Sequence, residues 1–280
     1  MIKNHILLLF GILNFFNGSF GLLHTEKFAE PSQFPFMINL RTFHSYFQSM
    51  CGGSIVNTKF GLTAAHCVSK KLFGPTRAVA LMGIVDRFSE GTRRKIIKII
   101  VHEDFETVGN LDYGLNDIAL LQFEFPIEFS SLIQPITLPP SGNITYLGDS
   151  VTALGWGVTA PGSQVSNHLK YAEMRVISND DCQAEYDRAS TFKCNVTETM
   201  LCVASSEKNP QAGACSGDSG GPIVLTNTST IVGIFSFSSM DTGSDCAIKP
   251  VLLDVFTRVS KYVDWIKTNV EETSANEVET

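Results

Sequence analysis

The sequence lacks a surplus of basic residues, and beyond its first 21 residues it lacks any long apolar run. Lys and Arg together number 21 against 28 Asp and Glu, which gives a net charge of −7. A nucleic-acid-binding chain usually carries an excess of positive charge, so the net charge argues against nucleic acid as a partner. No segment after residue 21 is long and apolar enough to span a bilayer. The chain also lacks an internal repeat or a recognisable linker.

The balance of apolar and charged residues is that of a compact chain. Of 280 residues, 44% are hydrophobic and 18% are charged, which supplies enough material for a core. Short β-rich runs, at residues 36–40, 95–101 and 230–235, stand between Gly, Pro, Asn and Asp. This pattern predicts an all-β fold. Residues 259–270 are the exception, because their apolar positions follow helical spacing and predict a terminal helix.

The first 21 residues have the pattern of a secretory signal. Lys3 precedes an apolar run from Ile6 to Phe16, and small residues follow that suit cleavage after Gly21. We therefore expect residues 1–21 to be a signal peptide and the protein to be secreted and extracellular, with no membrane attachment after cleavage. The alternative is a retained anchor, for which the run is short. Residues 271–280 predict an acidic, mobile tail.

The hexapeptide GDSGGP at residues 217–222 places the hydroxyl group of Ser219 between glycines and beside a carboxylate. A serine hydroxyl is a weak nucleophile at neutral pH. It becomes effective when a base takes its proton and backbone donors stabilise the charge on the carbonyl oxygen. Flanking glycines permit the backbone turn that such donors require. The segment is therefore a candidate nucleophile loop.

A base and an orienting acid stand earlier in the chain. His66 ends an apolar run and precedes Cys67, which could pin the loop. Asp117 opens the strand-like segment at residues 117–121, so its carboxylate is expected to be buried and to need a partner, for which imidazole is suited. Each residue alone has a structural alternative, a core or loop histidine and a strand-end cap. Neither alternative accounts for the order His, Asp, Ser along the chain.

With these residues the chain resembles the chymotrypsin-like serine proteases, whose catalytic residues follow the same order. Five more segments match the family: CGGSI at 51–55, GWG at 155–157, MLC at 200–202, VFTRV at 255–259 and YVDWI at 262–266. The resemblance covers roughly residues 23–270. It implies an all-β fold of two six-stranded antiparallel β-barrels with a C-terminal helix, formed by a protease domain at residues 22–270. The active site is then expected in the cleft between the barrels.

The resemblance also implies the activity and the partners. Ser219 is expected to attack a peptide carbonyl, His66 to take its proton and Asp117 to fix the imidazole tautomer. The backbone N–H groups of Gly217 and Ser219 are expected to form the oxyanion hole. The implied partners are protein or peptide substrates and proteinaceous inhibitors, and the implied state is a monomer. The mechanism needs no metal and no organic cofactor.

The primary pocket departs from the trypsin-like pattern. Its floor is expected at Gly213, next to Ala214, where trypsin-like members have a carboxylate. The opposite wall is expected to consist of Ser236, Phe237 and Ser238. Asp254 falls where many members have glycine and is expected to face the pocket. The pair Gly213 and Asp254 resembles the brachyurin-type crustacean and insect collagenolytic proteases, which implies cleavage after apolar, aromatic and basic residues. The alternative is that Asp254 is a solvated loop carboxylate.

The segment before the domain also departs from the family. Active members begin with a motif close to IVGG, freed after a basic residue, whose new ammonium pairs with the carboxylate that Asp218 supplies here. The matching residues 23–26 read LHTE, and neither Gly21 nor Leu22 is basic. Two interpretations stay open. Signal cleavage exposes Leu22 or its neighbour as an amine that reaches Asp218, or the protein is a non-catalytic, protein-binding relative.

The seven cysteines fit an oxidising compartment. The resemblance implies three disulfides, Cys51–Cys67, Cys182–Cys202 and Cys215–Cys246. Cys194 is left over. It is a buried free thiol, an intermolecular link, or a sign that the pairing of Cys182 is wrong.

Three triplets have the pattern of N-glycosylation acceptors. They begin at Asn143, Asn195 and Asn227, in polar, turn-like stretches where a glycan would be solvated. Each triplet alone is a pattern that recurs by chance. We expect at least one to carry a glycan.

Overall fold

The computed structural model describes residues 27–69, 74–107, 114–159, 163–188, 194–206, 213–238 and 253–276. These residues form two closed barrels of six strands each, with antiparallel pairing throughout. The predicted all-β fold with two six-stranded barrels is confirmed. The predicted signal peptide, residues 1–21, lies outside the described residues.

The first barrel has the strand order β1-β2-β3-β8-β5-β4. Its strands are β1 (Met37–Phe43), β2 (Gln48–Ile55), β3 (Phe60–Thr63), β4 (Arg77–Met82), β5 (Thr92–Val101) and β8 (Ala119–Phe123). The short strands β6 (Glu106–Thr107) and β7 (Gly114–Leu115) form a separate two-stranded sheet between β5 and β8 in the chain.

The second barrel has the order β10-β11-β14-β13-β12-β9. Its strands are β9 (Ser150–Gly155), β10 (Lys170–Val176), β11 (Met200–Ser205), β12 (Pro222–Leu225), β13 (Ile231–Ser238) and β14 (Leu253–Arg258). Helix α1 (Asn179–Arg188) connects β10 towards β11, and helix α2 (Val263–Asn276) follows β14.

The strands arise where apolar residues alternate or where both faces are covered. In β10 the side chains of Ala172, Met174 and Val176 are buried, while the residues between them are more exposed. Since successive side chains of a strand point to opposite faces, this alternation places one face of β10 in the barrel core. Both β8 and β3 are buried at every position, so each is covered on both faces.

The end of the chain is more helical than the sequence predicted. A 3-10 turn at Val259–Lys261 precedes α2, which starts at Val263 and continues to Asn276. The predicted acidic tail was placed from residue 271, so its first six residues belong to the helix instead. Backbone hydrogen bonds can extend a helix through the exposed Glu271 and Glu272 without any apolar contact, which hydrophobic spacing could not reveal. Among the described residues, no helix combines the length and apolar character needed to cross a membrane.

Two of the three predicted disulfides, Cys51–Cys67 and Cys182–Cys202, are present. Cys215 is disulfide-bonded as well, but its predicted partner Cys246 lies outside the described residues. Cys194 is a buried free thiol, and burial raises its pKa to about 11. The pairing of Cys182 was therefore predicted correctly, and Cys194 corresponds to the first of its three alternatives.

The three asparagines predicted as glycan acceptors, Asn143, Asn195 and Asn227, all lie at exposed positions. A glycan there would not have to displace packed side chains. Their glycosylation stays a prediction.

Candidate active site

The strands of the first barrel bring His66 and Asp117 to the same end. His66 lies in a 3-10 turn, Ala65–Cys67, just after β3, and Asp117 lies two residues before β8. Strands β3 and β8 are paired, with Thr63 opposite Ala119. The turn and the carboxylate therefore meet, and His66 Nδ1 lies 2.7 Å from Asp117 Oδ2. The disulfide predicted beside the histidine fastens this turn to β2.

Asp117 is only 1% exposed, and its carboxylate is satisfied from several sides. Oδ1 accepts a hydrogen bond from the backbone N–H of His66 at 2.9 Å. Oδ2 contacts the histidine ring and also accepts a hydrogen bond from Ser236 Oγ at 2.5 Å. Thr257 Oγ1 donates to the backbone carbonyl of Asp117 at 2.8 Å. The second barrel thus supplies two hydroxyl groups that hold an acid of the first barrel.

The loop that carries Ser219 packs against the first barrel next to the histidine turn. The N–H of Gly52, on β2, donates to the carbonyl of Ser219 at 2.7 Å. Gly220 has φ of +76° and lies close to Thr63. A Cβ atom on Gly220 would overlap Thr63 Oγ1 and would lie 3.1 Å from the backbone N of Ala64. Ala64 leads directly into the 3-10 turn. The structure therefore places the loop that carries Ser219 against the first barrel, next to the turn that carries His66.

The nucleophile loop also presents two backbone donors. Gly217 adopts φ of +95°, a conformation that favours glycine, and the N–H of Asp218 turns inward to donate to the carbonyl of Cys215 at 2.9 Å. Across the described part of the chain, the N–H groups of Gly217 and Ser219 donate to no protein acceptor. Two unengaged donors in one turn are the arrangement that an oxyanion hole requires.

Asp218 points into the protein. Its Oδ1 accepts from the N–H of Gly157 at 2.7 Å, and its Oδ2 accepts from the N–H of Cys215 at 3.0 Å. Burial raises the pKa of Asp218 to about 7, the two backbone donors oppose that shift, and the charge of Asp254 adds to it. No Lys, Arg or His among the described residues lies within 4.0 Å of this carboxylate. The site suits a further cationic partner.

The segment GWG at residues 155–157, which matches a family motif, makes room for the carboxylate of Asp218. A side chain on Gly155 or on Gly157 would overlap the carboxyl group of Asp218. Trp156 between them is buried, and its Nε1 donates to the carbonyl of Val85 at 2.9 Å. The sequence showed the motif but not this function.

Asp254 contacts both the predicted floor and the predicted wall of the pocket. It lies in β14, 1% exposed, and its Oδ2 accepts from the N–H of Ala214 at 2.7 Å, next to the buried Gly213. Its Oδ1 accepts from Ser238 Oγ at 2.6 Å. Burial raises the pKa of Asp254 to about 7 despite these two hydrogen bonds. The alternative of a solvated loop carboxylate does not fit a buried strand residue.

The three predicted wall residues have different surroundings. Ser236 Oγ donates a hydrogen bond to Asp117, and Ser238 Oγ donates one to Asp254. The ring of Phe237 is 4% exposed and packs edge-on against Tyr186 of α1, with 6.2 Å between ring centroids. Phe237 can therefore offer its backbone, but not its ring, to a substrate. The bond from Ser236 to Asp117 was missed because nothing in the sequence relates residues 119 positions apart.

One cluster with metal-like spacing occurs among the described residues, formed by Cys51, His66 and Cys67. Both sulfur atoms belong to the same disulfide, so neither is the thiolate that a metal site would need. His66 Nε2 lies 3.7 Å from Cys67 Sγ. We assign no metal to this cluster.

Comparison with known proteins agrees with this geometry. Residues 25–266 match the trypsin family. The chain is 32% identical over 252 residues to clotting factor G beta subunit of Tachypleus tridentatus, covering 85% of this chain and 76% of that protein. It is 33% identical over 246 residues to trypsin-1 of Astacus astacus, covering 85% of this chain and 95% of that protein.

A solved structure of HL collagenase superposes with a TM-score of 0.72 at 30% identity, covering 88% of this chain and 97% of that chain. The family match spans both barrels and all three predicted catalytic residues. The chain belongs to the trypsin family of serine proteases.

Proposed function

We propose that this protein is a secreted serine endopeptidase of chymotrypsin-like or broad specificity that acts through an acyl-enzyme. The observation that carries the proposal is the pair of His66 and Asp117, joined at 2.7 Å, in which the buried Asp117 is held by two hydroxyl groups of the second barrel. A carboxylate on Nδ1 fixes the tautomer in which Nε2 can accept a proton. Protein or peptide chains are the substrates, and a monomer suffices.

In the proposed mechanism Ser219 Oγ attacks the carbonyl carbon of the scissile peptide, and His66 Nε2 takes the hydroxyl proton. The N–H groups of Gly217 and Ser219 stabilise the oxyanion, and loss of one such donor typically costs about 10² to 10³ in rate. The imidazolium then protonates the leaving amine. Water, deprotonated by His66, releases the acyl group and restores the serine.

The state of Asp218 determines whether this machinery is assembled. Its carboxylate is buried beside the nucleophile and has no cation within 4.0 Å among the described residues. An unpaired buried charge costs several kcal/mol, so a mature N-terminal amine at residues 22–24 is the proposed partner. The competing function is a secreted, non-catalytic homologue that binds proteins, in which Asp218 stays unpaired and the donors are misplaced.

Labelling by a fluorophosphonate probe separates these two functions. We expect the secreted protein and its Ser216→Ala variant to be labelled, and Ser219→Ala not to be, because Ser219 directly precedes Gly220, which packs against the residues that lead into the histidine turn. N-terminal sequencing of the labelled chain is expected to start between residues 22 and 24. If none of the three folded proteins is labelled, the catalytic proposal fails and the binding homologue replaces it.

The raised pKa of Asp254 gives a second prediction, which concerns specificity. With a pKa of about 7, Asp254 is mostly neutral at pH 6 and mostly ionised at pH 8.5. Only the ionised form attracts a Lys or Arg side chain, whereas protonation of His66 affects all substrates equally. We expect the ratio of kcat/KM after Lys to kcat/KM after Phe to rise about tenfold between these pH values.

The measurement uses two peptide substrates that differ only at the residue before the scissile bond. Asp254→Asn is the control, and its ratio should not change with pH. A wild-type ratio that stays flat from pH 6 to pH 8.5 would remove Asp254 from the pocket that recognises basic residues.

A further inference from the structure

The outer face of the first barrel carries a concentration of arginine. Five of the eight arginines in the chain lie between residues 41 and 94. Four of them, Arg41, Arg77, Arg87 and Arg93, define what we call the arginine face. The protein as a whole has a net charge of −7, so this surface opposes its overall sign.

The strand register places these side chains on one face. Arg41 of β1 is opposite Val79 of β4, which is opposite Lys95 of β5. Arg77 precedes Val79 by two residues, and Arg93 precedes Lys95 by two, so both share that face. The intervening alanines of β4 are buried in the barrel, which makes the arginine face the outer one. The fourth arginine comes from the loop between β4 and β5.

Protein carboxylates do not neutralise this cluster. None of the four arginines has a carboxylate within 4.0 Å among the described residues. Arg41 instead donates to the carbonyl oxygen of Arg87 and to Asn39 Oδ1, and Arg87 Nε donates to Asn167 Oδ1 at 3.2 Å. Partial burial lowers the pKa of Arg41, and the charges of Arg93 and Arg87 lower it further. Like charges are held together here by neutral acceptors, so the face keeps its capacity for anions.

Exposed apolar side chains lie among the charges. The guanidinium of Arg77 lies 4.0 Å from the ring centroid of Phe43, and that of Arg87 lies 4.2 Å from the ring of Phe88. Phe88 is 66% exposed, and Ile97, on the outer face of β5, is 53% exposed. A sulfated polysaccharide has no apolar groups to cover these side chains. A peptide that alternates carboxylates with apolar residues has both kinds of group.

The arginine face begins close to the nucleophile loop. Gly52, which donates to the carbonyl of Ser219, is opposite Asn39, and Arg41 follows two residues later. With neighbouring strands about 5 Å apart and about 3.3 Å per residue, the backbones of Gly52 and Arg41 are roughly 8 Å apart. A protein that occupies the cleft could therefore reach this face with a few residues.

We propose that the arginine face binds an acidic segment of a protein, in which Asp or Glu alternates with aromatic or aliphatic residues. The carboxylates pair with Arg87, Arg93 and Arg77, and the apolar side chains cover Phe88 and Ile97. Binding at this surface does not require catalysis, so it holds for a protease that recruits its substrate and for a non-catalytic binding protein.

The test measures binding to the full secreted chain carrying Ser219→Ala, which prevents cleavage of the probe. The probe is a fluorescein-labelled twelve-residue peptide of alternating Glu with Phe and Leu, and its partner has Gln in place of Glu. In 50 mM salt we expect the Glu peptide to bind at least tenfold more tightly than the Gln peptide. Its binding should weaken in 200 mM salt, because salt screens exposed charges.

Matched variants locate the binding site. The double variant Arg87→Gln, Arg93→Gln is expected to bind the Glu peptide about tenfold more weakly. The control double variant Arg175→Gln, Lys267→Gln removes the same charge at exposed positions elsewhere, and its affinity should change less than twofold. In chains that keep Ser219, both double variants should leave the melting temperature and the hydrolysis of a small chromogenic peptide unchanged.

Three results would overturn the proposal. They are equal binding of the Glu and Gln peptides, equal weakening by the two pairs of substitutions, and binding of a heparin oligosaccharide to this face without binding of the Glu peptide. Absence of hydrolysis by the parent protein bears on the proposed function alone, because the peptide assay uses the Ser219→Ala chain.

Discussion

Replacing His66 by alanine is expected to lower kcat by roughly 10⁶-fold on any peptide substrate. The imidazole is the only base that the structure holds, within its described residues, on the buried carboxylate of Asp117 beside the nucleophile loop. Without it the hydroxyl proton of Ser219 has no acceptor, and the leaving amine has no proton donor. KM should change little, since the imidazole acts mainly on the transition state.

The same substitution should leave the fold intact. Asp117 keeps the backbone N–H of residue 66 and the hydroxyl of Ser236 as donors, so its carboxylate does not become an orphan. His168→Ala is the matched control, because His168 is an exposed histidine that packs edge-on against Phe28, outside the site. The measurements are kcat and KM on a chromogenic peptide, with melting curves for each variant. Residual activity of His66→Ala within 10²-fold of the parent would contradict the proposed mechanism.

Replacing Asp254 by asparagine is expected to lower kcat/KM after Lys or Arg by about 10²-fold, while cleavage after Phe or Leu changes less than about threefold. Removing one partner of a buried charge pair typically costs 2 to 5 kcal/mol. Asparagine retains the shape of the side chain and can still accept from the N–H of Ala214 and donate to Ser238 Oγ. The loss is therefore specific to charge.

Stability provides the internal check on this variant. Burial raises the pKa of Asp254 above its unfolded value, so the folded state binds more protons, and stability is lost as the pH rises towards 7. Asp254→Asn removes that loss and should melt no lower than the parent at pH 8. Asp149→Asn makes the same chemical change at an exposed position and serves as the control. Unchanged cleavage after Lys or Arg in a folded Asp254→Asn protein would show that this carboxylate does not bind the substrate.

Much of the candidate site could be predicted because its chemistry is concentrated in short segments. The segment GDSGGP needs its glycines locally, for the turn at Gly217 with φ of +95°. The disulfide Cys51–Cys67 joins β2 to the histidine turn, and family motifs indicated it directly. Strand runs such as the one that became β5 follow from local apolar patterns.

Contacts between distant residues could not be predicted in the same way. The bond from Ser236 to Asp117 and the bond from Thr257 to its carbonyl each join the two barrels across more than 100 residues. The orientation of Phe237 was also hidden, since a strand residue in a bulged register can pack towards α1 while its neighbours face the cleft. The helical conformation of residues 271–276 depends on backbone hydrogen bonds, which the spacing of apolar residues does not reveal.

The sequence by itself determined the family, the order of the predicted catalytic residues and the two described disulfides, because these rest on residue identity and spacing. Only the tertiary structure decided which charged side chains lie close to one another and which of them are buried. Asp218 and Asp254 lie 36 positions apart, yet both carboxylates are buried and burial raises the pKa of each to about 7. They accept hydrogen bonds from two adjacent backbone N–H groups, those of Cys215 and Ala214. The arginines of β1, β4 and β5 likewise became one surface only when the barrel closed. Electrostatic interaction depends on distance and burial, which the chain acquires by folding.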